Sequence, residues 1–414
     1  MKIAVIGSGI SGLTAAWLLS KKYHVDIYEA NDEIGGHTAT KLITLDGESH
    51  AIDTGFIVFN DRTYPNFNRL LRELDVPFQN TEMSFSVCCD RTGIEYSGSS
   101  LNGLLAQRSN LFRPYFMKMV KDILRFNKQA PIDLDNGKIN AKMTLGEYLR
   151  TENYSAGFIN QYLIPMGAAI WSSGSGAMLD FPLQFFVRFF KNHGLLSLKN
   201  RPQWSVITGG SREYLKPLCE PFSHNIKTGS AVEQVIRKTD GVSLRIKGRS
   251  QHYDQVIIAT HSDQALKLLT DASDEEKEVL SSIPYAMNDV VLHTDNSLLP
   301  KKKRAWSAWN YHVYTNSRQR AALTYNMNLL QGIDSKHTFC VTLNESEHIN
   351  PSRILGRYQY AHPVFTLEGM AAQQRWQEIN GVHHTWFCGA YWNNGFHEDG
   401  VVSAVKVAKA LGVS

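Results

Sequence analysis

A glycine-rich segment near the start of the chain has the residue types and spacing of a nucleotide-binding turn. Residues 7–12 read GSGISG, and an acid, Glu29, follows. In such a turn Gly7 allows a tight bend, Gly9 lets the backbone approach a pyrophosphate, and Gly12 lets a helix pack closely on a strand. An acid about twenty residues further on can accept hydrogen bonds from ribose hydroxyls. The spacing therefore predicts a dinucleotide site.

The elements that flank this turn must be a strand and a helix. The apolar run at residues 3–6 predicts a buried strand, and residues 13–19 predict a helix. The N-terminus of that helix would present free N–H groups and a partial positive charge to the phosphates. Residues 25–28 predict a second strand that ends at Glu29. This strand–turn–helix–strand order is the context that separates a nucleotide site from an ordinary glycine turn, the alternative.

A second pair of glycines decides between two cofactors. Gly35 and Gly36 follow Glu29 and would bring a second backbone segment against the same ligand. FAD is an extended molecule with two nucleotide halves, so it needs such a segment more than NAD does. We therefore predict FAD. The residues predicted to bind it from this part of the chain are Gly7, Gly9, Ile10, Ser11, Gly12, Glu29, Ala30, Gly36, His37 and Thr38.

With its glycine motif, strand-terminal acid and glycine pair, the sequence resembles the superfamily of flavin-dependent amine oxidases and phytoene desaturases. The resemblance implies an α/β fold, in which an FAD-binding Rossmann-like domain of the glutathione-reductase type carries an inserted α+β substrate domain. It places the FAD-binding domain at residues 1–75, 205–280 and 380–414, and the substrate domain at residues 76–204 and 281–379. The middle of the chain is most similar to bacterial oxidoreductases, predicted to bind NAD or FAD, that are associated with fatty acyl modification.

The resemblance implies further cofactor contacts along the chain. Residues 53–56 resemble the segment that passes close to the flavin ring, although a strand and an ordinary turn would explain them as well. The strand at residues 385–390 and the helix predicted at residues 400–410 resemble the elements that close over the ribityl chain and the flavin. A helix N-terminus there would stabilise negative charge on the reduced flavin. The residues implied are Gly55, Phe56, Val232 (through its backbone, at the adenine), Gly389, Gly400 and Val401.

His397 is the candidate catalytic residue. Together with Glu398 and Asp399 it is expected to be among the polar groups closest to the flavin, as a proton acceptor or as a group that orients the substrate. The alternative is a loop residue that only hydrogen-bonds to the backbone. Amine oxidases of the superfamily often have a lysine where this chain has Asn288, and several have a flavin-face tyrosine where it has Phe396. These departures lower the expectation of amine oxidation.

The predicted function is that of an FAD-dependent oxidoreductase which takes hydride from an apolar substrate, a lipid or fatty acyl chain, as a desaturase does. A flavin amine oxidase, a redox-neutral flavin-dependent isomerase and a non-catalytic dinucleotide-binding protein stay open as alternatives. The segment at residues 185–191 is apolar on most faces, with Arg188 and Lys191 interleaved. It predicts either a core helix or a lipid-facing entrance.

Composition and charge exclude other classes of protein. The net charge of +4, from 43 basic and 39 acidic residues, is too small to indicate a nucleic-acid partner. The five cysteines show no CxxC spacing and the histidines no ligand pattern, so neither a disulfide framework nor a metal site is predicted. No apolar run reaches the roughly 18 residues that a membrane span needs.

We expect a cytoplasmic protein with a peripheral membrane contact at most. Residues 301–304, the densest basic cluster, could make that contact or form a solvated loop. The apolar N-terminus is not expected to be a signal peptide, because its cleavage would remove the glycine motif. Nothing in the sequence names the electron acceptor.

Overall fold

The structure is a computed structural model and describes residues 1–197, 199–315 and 321–413. Its strands are β1 (Lys2–Ile6), β2 (His24–Tyr28), β3 (Thr40–Leu45), β4 (Glu48–Asp53), β5 (Val58–Asn60), β6 (Phe78–Thr81), β7 (Phe85–Cys89), β8 (Ile94–Ser97), β9 (Trp204–Ile207), β10 (Ile226–Lys227), β11 (Val232–Lys238), β12 (Gly241–Ile246), β13 (Arg249–Tyr253), β14 (Gln255–Ile258), β15 (Tyr285–His293), β16 (Trp309–Val313), β17 (Leu323–Asn326), β18 (Cys340–Leu343), β19 (Ile354–Pro363) and β20 (Thr385–Phe387). Its α-helices are α1 (Ile10–Ser20), α2 (Pro65–Glu73), α3 (Leu101–Leu104), α4 (Pro114–Asp135), α5 (Leu145–Thr151), α6 (Ala156–Phe158), α7 (Ile164–Trp171), α8 (Ser175–Leu179), α9 (Leu183–Asn192), α10 (Leu215–Cys219), α11 (Ser262–Leu268), α12 (Asp274–Ser281), α13 (Met327–Gln331), α14 (Leu367–Gln373), α15 (Trp376–Ile379) and α16 (His397–Ala410).

A parallel sheet of five strands, in the order β10-β2-β1-β14-β20, positions the glycine-rich turn. Its strands are almost entirely apolar and buried, as expected for a parallel sheet covered on both faces. The strands predicted at residues 3–6 and 25–28 lie in this sheet, as does β20, the first half of the strand predicted at residues 385–390, which confirms them. Because the strands are parallel, their carboxyl ends meet at one edge, where ligands bind in open α/β sheets.

A larger sheet of seven strands, in the order β19-β15-β18-β17-β16-β7-β8, lies beside a layer of helices. The helices α4 to α9 bury an aromatic core together with residues of this sheet. In α9 the four phenylalanines are buried and Lys191 pairs with Asp135 at 2.8 Å, so α9 is a core helix rather than a lipid-facing entrance. None of the helices in the described ranges is both long and apolar enough to cross a membrane.

Local sequence signals account for several smaller features. The hairpin of β3 and β4 turns at Asp46 and Gly47, whose φ angles of 51° and 87° are both positive, as a two-residue hairpin turn requires. Helix α5 begins with a capping box, in which Thr144 and Glu147 each accept a hydrogen bond from the other's backbone N–H. Both features form locally, because their determinants lie within a few residues of each other.

Candidate cofactor and active site

The glycine-rich turn lies at the carboxyl end of β1 and leaves an open space beside Gly9. The N–H of Gly7 donates to the carbonyl of Tyr28 at 2.8 Å, which ties the turn to β2. A methyl group added at Gly12 would lie 2.0 Å from the carbonyl oxygen of Gly7, so only glycine lets α1 pack on the turn. A methyl group added at Gly9 would meet no atom within 4 Å. The turn therefore has the close packing and the open backbone of a phosphate-binding site.

A second backbone segment closes on the same space. A methyl group added at Gly36 would lie 3.2 Å from the Cα of Gly9, so the two glycines face each other. The N–H of Gly35 donates to the carbonyl of Ser8 at 3.0 Å, and Gly35 and Gly36 have φ angles of 114° and 57°. Two glycine backbones that meet at the edge of one open space fit a cofactor that lies against them.

Glu29 lies at the carboxyl end of β2 beside this space. One carboxylate oxygen accepts hydrogen bonds from the backbone N–H and the hydroxyl of Ser8, at 3.0 and 2.6 Å. The other accepts from the backbone and side chain of Asn31, both at 2.9 Å. These four bonds hold the side chain in one orientation and occupy the roughly four lone-pair sites of a carboxylate, so a ribose hydroxyl would replace one of these donors. The N–H of Ser230 donates to the carbonyl of Glu29 at 2.8 Å, so the chain that leads into β11 runs alongside.

The predicted segments around His37 and Gly55 run next to each other. The N–H of Phe56 donates to the carbonyl of His37 at 2.7 Å. A methyl group added at Gly55 would lie 2.1 Å from the same oxygen, so glycine is needed for this approach. The structure therefore brings together the residues that follow the glycine pair and the residues that were expected beside the flavin ring.

His397 lies where these two segments meet. Its Nε2 is 3.1 Å from the hydroxyl of Thr38 and 3.3 Å from the hydroxyl of Tyr214, and its ring stacks on Phe56 with a centroid distance of 3.5 Å. Burial, together with the nearby His37, holds the pKa of His397 well below its ordinary value. The imidazole is therefore neutral, which favours hydrogen bonding and positioning over the acceptance of a proton.

The two acids that follow His397 hold helix ends in place. The carboxylate of Glu398 accepts from the backbone and side-chain N–H groups of Asn66, at 3.0 and 2.6 Å, and from the N–H of Phe67 at 2.8 Å, so it caps α2. The carboxylate of Asp399 accepts from the N–H of Phe396 at 2.8 Å. Burial raises the pKa of Asp399 to about 7. Both acids therefore cap helix N-termini, a role that their position in the sequence did not predict.

Helix α16 begins at His397, one turn before the start predicted at Gly400. The helix begins earlier than predicted because the Asp399 carboxylate accepts a hydrogen bond from the N–H of Phe396, the residue before the helix. A methyl group added at Gly400 would lie 2.8 Å from side-chain atoms of both Ile10 and Ser11. Gly400 thus lets α16 pack against α1 directly behind the glycine-rich turn.

The remaining predicted cofactor residues are spread around the same edge of the sheet. The N–H of Gly389 donates to the hydroxyl of Ser403 at 3.0 Å, which joins the end of β20 to α16. Val401 is buried in the core around the parallel sheet. Ala30 is exposed next to Glu29, and Val232 begins β11. Their contacts with FAD stay a prediction.

A cluster of neutral histidines beside the glycine pair was missed by the sequence analysis. The rings of His261 and His362 lie 5.9 and 5.5 Å from the ring of His37. Burial lowers the pKa of His37 to about 3 and that of His362 to about 4. Nδ1 of His362 is 3.3 Å from the side-chain nitrogen of Asn288, the residue found in place of the expected lysine. No spacing signal could have joined residues so far apart in the chain.

Burial lowers the pKa of several other histidines in the same way. The described histidines with a lowered pKa are His37, His193, His261, His293, His362 and His397. We refer to them below as the six buried histidines.

Aromatic rings line the approach to His397 from the helical layer. Phe396 stacks on Phe189 of α9 at 5.2 Å, and Phe189 lies 4.8 Å from Trp171 of α7. Phe185 stacks on Phe365 at 5.1 Å. We call these five residues the aromatic wall. Its rings at Trp171, Phe185, Phe189 and Phe365 are each at most 8% exposed, so they pack on one another next to the predicted flavin position.

One cluster of potential metal ligands lies on the neighbouring strands β7 and β16. Ligand atoms of Cys88, Asp90 and His312 lie within 4.8 Å of one another. The imidazole of His312 is already 2.7 Å from the Asp90 carboxylate, and burial raises the pKa of the Cys88 thiol to about 12. Since the thiol stays protonated and the other two groups bind each other, we assign no metal to this cluster.

A parallel sheet with an open glycine cradle at its carboxyl edge defines a dinucleotide-binding α/β protein. The model of the family described as flavin containing amine oxidoreductase matches residues 10–326. The chain therefore belongs to this family and is an FAD-dependent oxidoreductase with a small-molecule substrate. The superfamily resemblance, the fold class and the cofactor predicted from the sequence are confirmed.

Similar proteins carry out several reactions. A stretch of 96 residues is 36% identical to a 1-hydroxycarotenoid 3,4-desaturase from Flavobacterium sp. (strain P99-3), and the match covers 23% of this chain and only 18% of that desaturase. The cyclohexylamine oxidase from Brevibacterium oxydans IH-35A superposes with a TM-score of 0.69 at 14% identity over 99% of both chains. A CLA-producing fatty acid isomerase from P. acnes superposes with a TM-score of 0.68 at 14% identity, over 99% of this chain and 98% of that one. At these identities the two structures show the fold alone.

Proposed function

We propose that this chain is a desaturase-like oxidoreductase that takes hydride from an apolar substrate, a lipid or a fatty acyl chain. The aromatic wall carries this proposal. Phe396 immediately precedes His397 and stacks on Phe189, so contiguous apolar rings extend from the predicted flavin position into the helical layer. Rings of this kind favour an acyl chain over a charged group through the hydrophobic effect.

The charged groups around His397 argue against an amine substrate. Glu398 caps α2 and Asp399 caps α16, so the carboxylates of both are already engaged. Asn288 stands where amine oxidases often have a lysine, and it is only 2% exposed and hydrogen-bonded to Asn344 at 2.9 Å. An ammonium group would therefore find no uncommitted carboxylate among these residues, whereas an alkyl chain needs none.

We propose that the cofactor lies in the open space beside Gly9, with Glu29 at a ribose. FAD, when bound, supplies the acceptor for two electrons. In a desaturation a hydride leaves one substrate carbon for that acceptor and a proton passes from the next carbon to a base, so that the electron pair left behind forms the C=C bond. The protein's part is to exclude water and to hold the chain in position, and the neutral His397 would orient the reacting region through its hydrogen bonds. An acceptor such as oxygen or a quinone must later take up the electrons.

The domain boundaries remain part of this proposal. Residues 1–75, 205–280 and 380–414 would form the FAD-binding domain, and residues 76–204 and 281–379 the substrate domain. A peripheral membrane contact would bring a lipid substrate to the substrate domain.

The first test is spectroscopic. The purified protein should be yellow, and acid precipitation should release FAD into the supernatant. Anaerobic mixing with a methylated unsaturated acyl lipid should then bleach the flavin, while a panel of primary amines and polyamines should not. Bleaching by an amine but by no acyl lipid would overturn the proposed substrate. Turnover that needs reduced flavin but consumes no electrons would show an isomerase instead.

A pair of variants tests the aromatic wall itself. Phe189→Leu removes the ring that stacks on Phe396, and we expect slower bleaching by acyl lipid. Phe126→Leu removes a ring that is equally buried but packs on Tyr148, Tyr154 and Phe158 within the helical layer. It controls for lost stability. Equal rates in both variants would show that the wall does not contact the substrate.

A further inference from the structure

Large apolar side chains are exposed close together at one place on the surface. Phe112 is 86% exposed and Leu101 is 79% exposed, and Leu111, Met117 and Leu124 are each between 44 and 50% exposed. They belong to α3, to the short helical turn at Arg108–Phe112 that follows it, and to the first half of α4. Apolar side chains exposed in such number in one segment mark an interaction site rather than ordinary surface variation.

The same surface is basic. Residues 96–121 contain no aspartate or glutamate, but they include Arg108, Arg113, Lys118 and Lys121. The exposed cations at residues 301–304 join them, because the turn Lys303–Ala305 packs against α3 and β8. Residues 106–109 and 301–304 together line a groove of about 630 Å³.

These cations are not paired with acids in the part of the chain that the structure describes. Elsewhere in the helical layer, Arg125 pairs with Asp122 and Lys191 pairs with Asp135. By contrast, no described carboxylate forms an ion pair with Arg108, Lys118, Lys121 or residues 301–304, although Arg108 donates to the side chain of Asn102 at 2.7 Å. Glu95 lies beside residues 301–304, and its carboxylate accepts from the backbone N–H groups of Lys301 and Lys302, at 3.2 and 3.0 Å. Their ammonium groups are left for a ligand.

We propose that this surface docks on an anionic lipid bilayer. The docking face consists of α3, the turn Arg108–Phe112, the exposed side of α4 and residues 301–304. Apolar side chains would enter the boundary between headgroups and acyl chains, and the unpaired cations would contact anionic headgroups, a combination that interfacial helices use. The face is also well placed for a lipid substrate, because α4 packs against α9, the helix that carries Phe189 of the aromatic wall.

The purpose of membrane docking rests on the proposed lipid substrate, but the test of docking does not involve turnover. The flavin-loaded full chain is floated with vesicles of phosphatidylcholine alone, or of phosphatidylcholine with phosphatidylglycerol. We expect it to float with the anionic vesicles, to stay behind with the neutral ones, and to be released by high salt. A chain that binds anionic vesicles yet is not reduced by any acyl lipid would refute the substrate and keep the docking face.

Two pairs of variants locate the contact. Leu101→Ser combined with Phe112→Ser should abolish most of the flotation, whereas the control Leu42→Ser, at a leucine that is 60% exposed on β3, should leave it unchanged. Lys302→Glu combined with Lys303→Glu should weaken binding at least roughly tenfold, since each lysine at an anionic surface contributes about fivefold. The charge control is Lys216→Glu combined with Lys409→Glu, two exposed lysines on α10 and α16.

Three results would overturn the proposal. The first is equal binding of the wild type to neutral and anionic vesicles, or no binding to either. The second is an equal loss of binding in the test and control variants. The third is a wild type that sediments without lipid as a dimer and becomes a monomer on Leu101→Ser with Phe112→Ser, since the face would then be an interface between two copies of the chain.

Discussion

The contrast between Gly9 and Gly12 provides the sharpest test of the cofactor site. Gly9 has φ of −71° and ψ of 176°, which any residue can adopt, and a methyl group there meets no protein atom within 4 Å. Gly9→Ala should therefore cost the flavin-free protein less than about 1 kcal/mol, the difference between glycine and alanine at a helix N-cap. The same methyl group would project into the open space beside Gly9. If FAD lies there, its affinity should fall at least roughly a hundredfold, which is about 2.7 kcal/mol.

Gly12→Ala should behave in the opposite way, because its methyl group clashes with the protein itself. It would lie 2.0 Å from the Gly7 oxygen and 3.1 Å from the Cβ of Ala259, so α1 must move away from the turn. Overpacking of this kind costs about 1–3 kcal/mol or more, while the gain in helix propensity is about 1 kcal/mol at most. We expect a net loss of about 2 kcal/mol in the stability of the flavin-free protein.

Two measurements test the predictions for Gly9→Ala and Gly12→Ala. Denaturant unfolding of the flavin-free proteins gives the stability of each variant, and fluorescence titration with FAD gives the affinity. Gly9→Ala with wild-type affinity for FAD would refute the placement of the cofactor beside Gly9. Gly12→Ala with wild-type stability would refute the packing argument.

Three further outcomes follow from the site. Glu398→Ala should lower the free energy of unfolding by about 1–3 kcal/mol, because the N–H groups at the start of α2 lose their acceptor. Glu398→Gln keeps one acceptor oxygen and should therefore lose less stability. Denaturant unfolding measures both variants, and the FAD content of both should stay the same. Glu29→Ala should weaken FAD binding at least roughly tenfold in the same titration, since it removes the proposed ribose acceptor and releases Ser8 and Asn31. Acidification from pH 6.5 to about 4 should destabilise the protein. The six buried histidines stay neutral in the folded protein but take up protons in the unfolded chain, and each contributes at most about 1.4 kcal/mol per pH unit. Asp53 and Asp399 have the opposite effect on stability, because their pKa values in the folded protein are raised to about 6 and about 7. They are only two groups against the six histidines. Thermal unfolding midpoints that stay flat or rise over this range would contradict the pH prediction.

The local sequence determined the elements of the cofactor site. The GSGISG turn, the strands on either side of it and the Glu29 position could be predicted because strand, turn and helix signals lie within thirty residues of one another. The same holds for the capping box of α5 and for the Asp46–Gly47 turn. Each depends on backbone geometry and hydrogen bonds between near neighbours, which residue type controls directly.

Only the tertiary structure decided what the site contains. Glu398 is separated from Phe67 by 331 residues, yet it caps α2, and its position beside His397 had suggested a place near the flavin. The histidines at positions 37, 261 and 362 meet because segments far apart in the chain pack together. The unpaired cations of the docking face are likewise a property of the fold, since whether a lysine finds a carboxylate depends on which distant segments pack beside it. Sequence spacing specifies neighbours along the chain, and burial and charge pairing depend on neighbours in space.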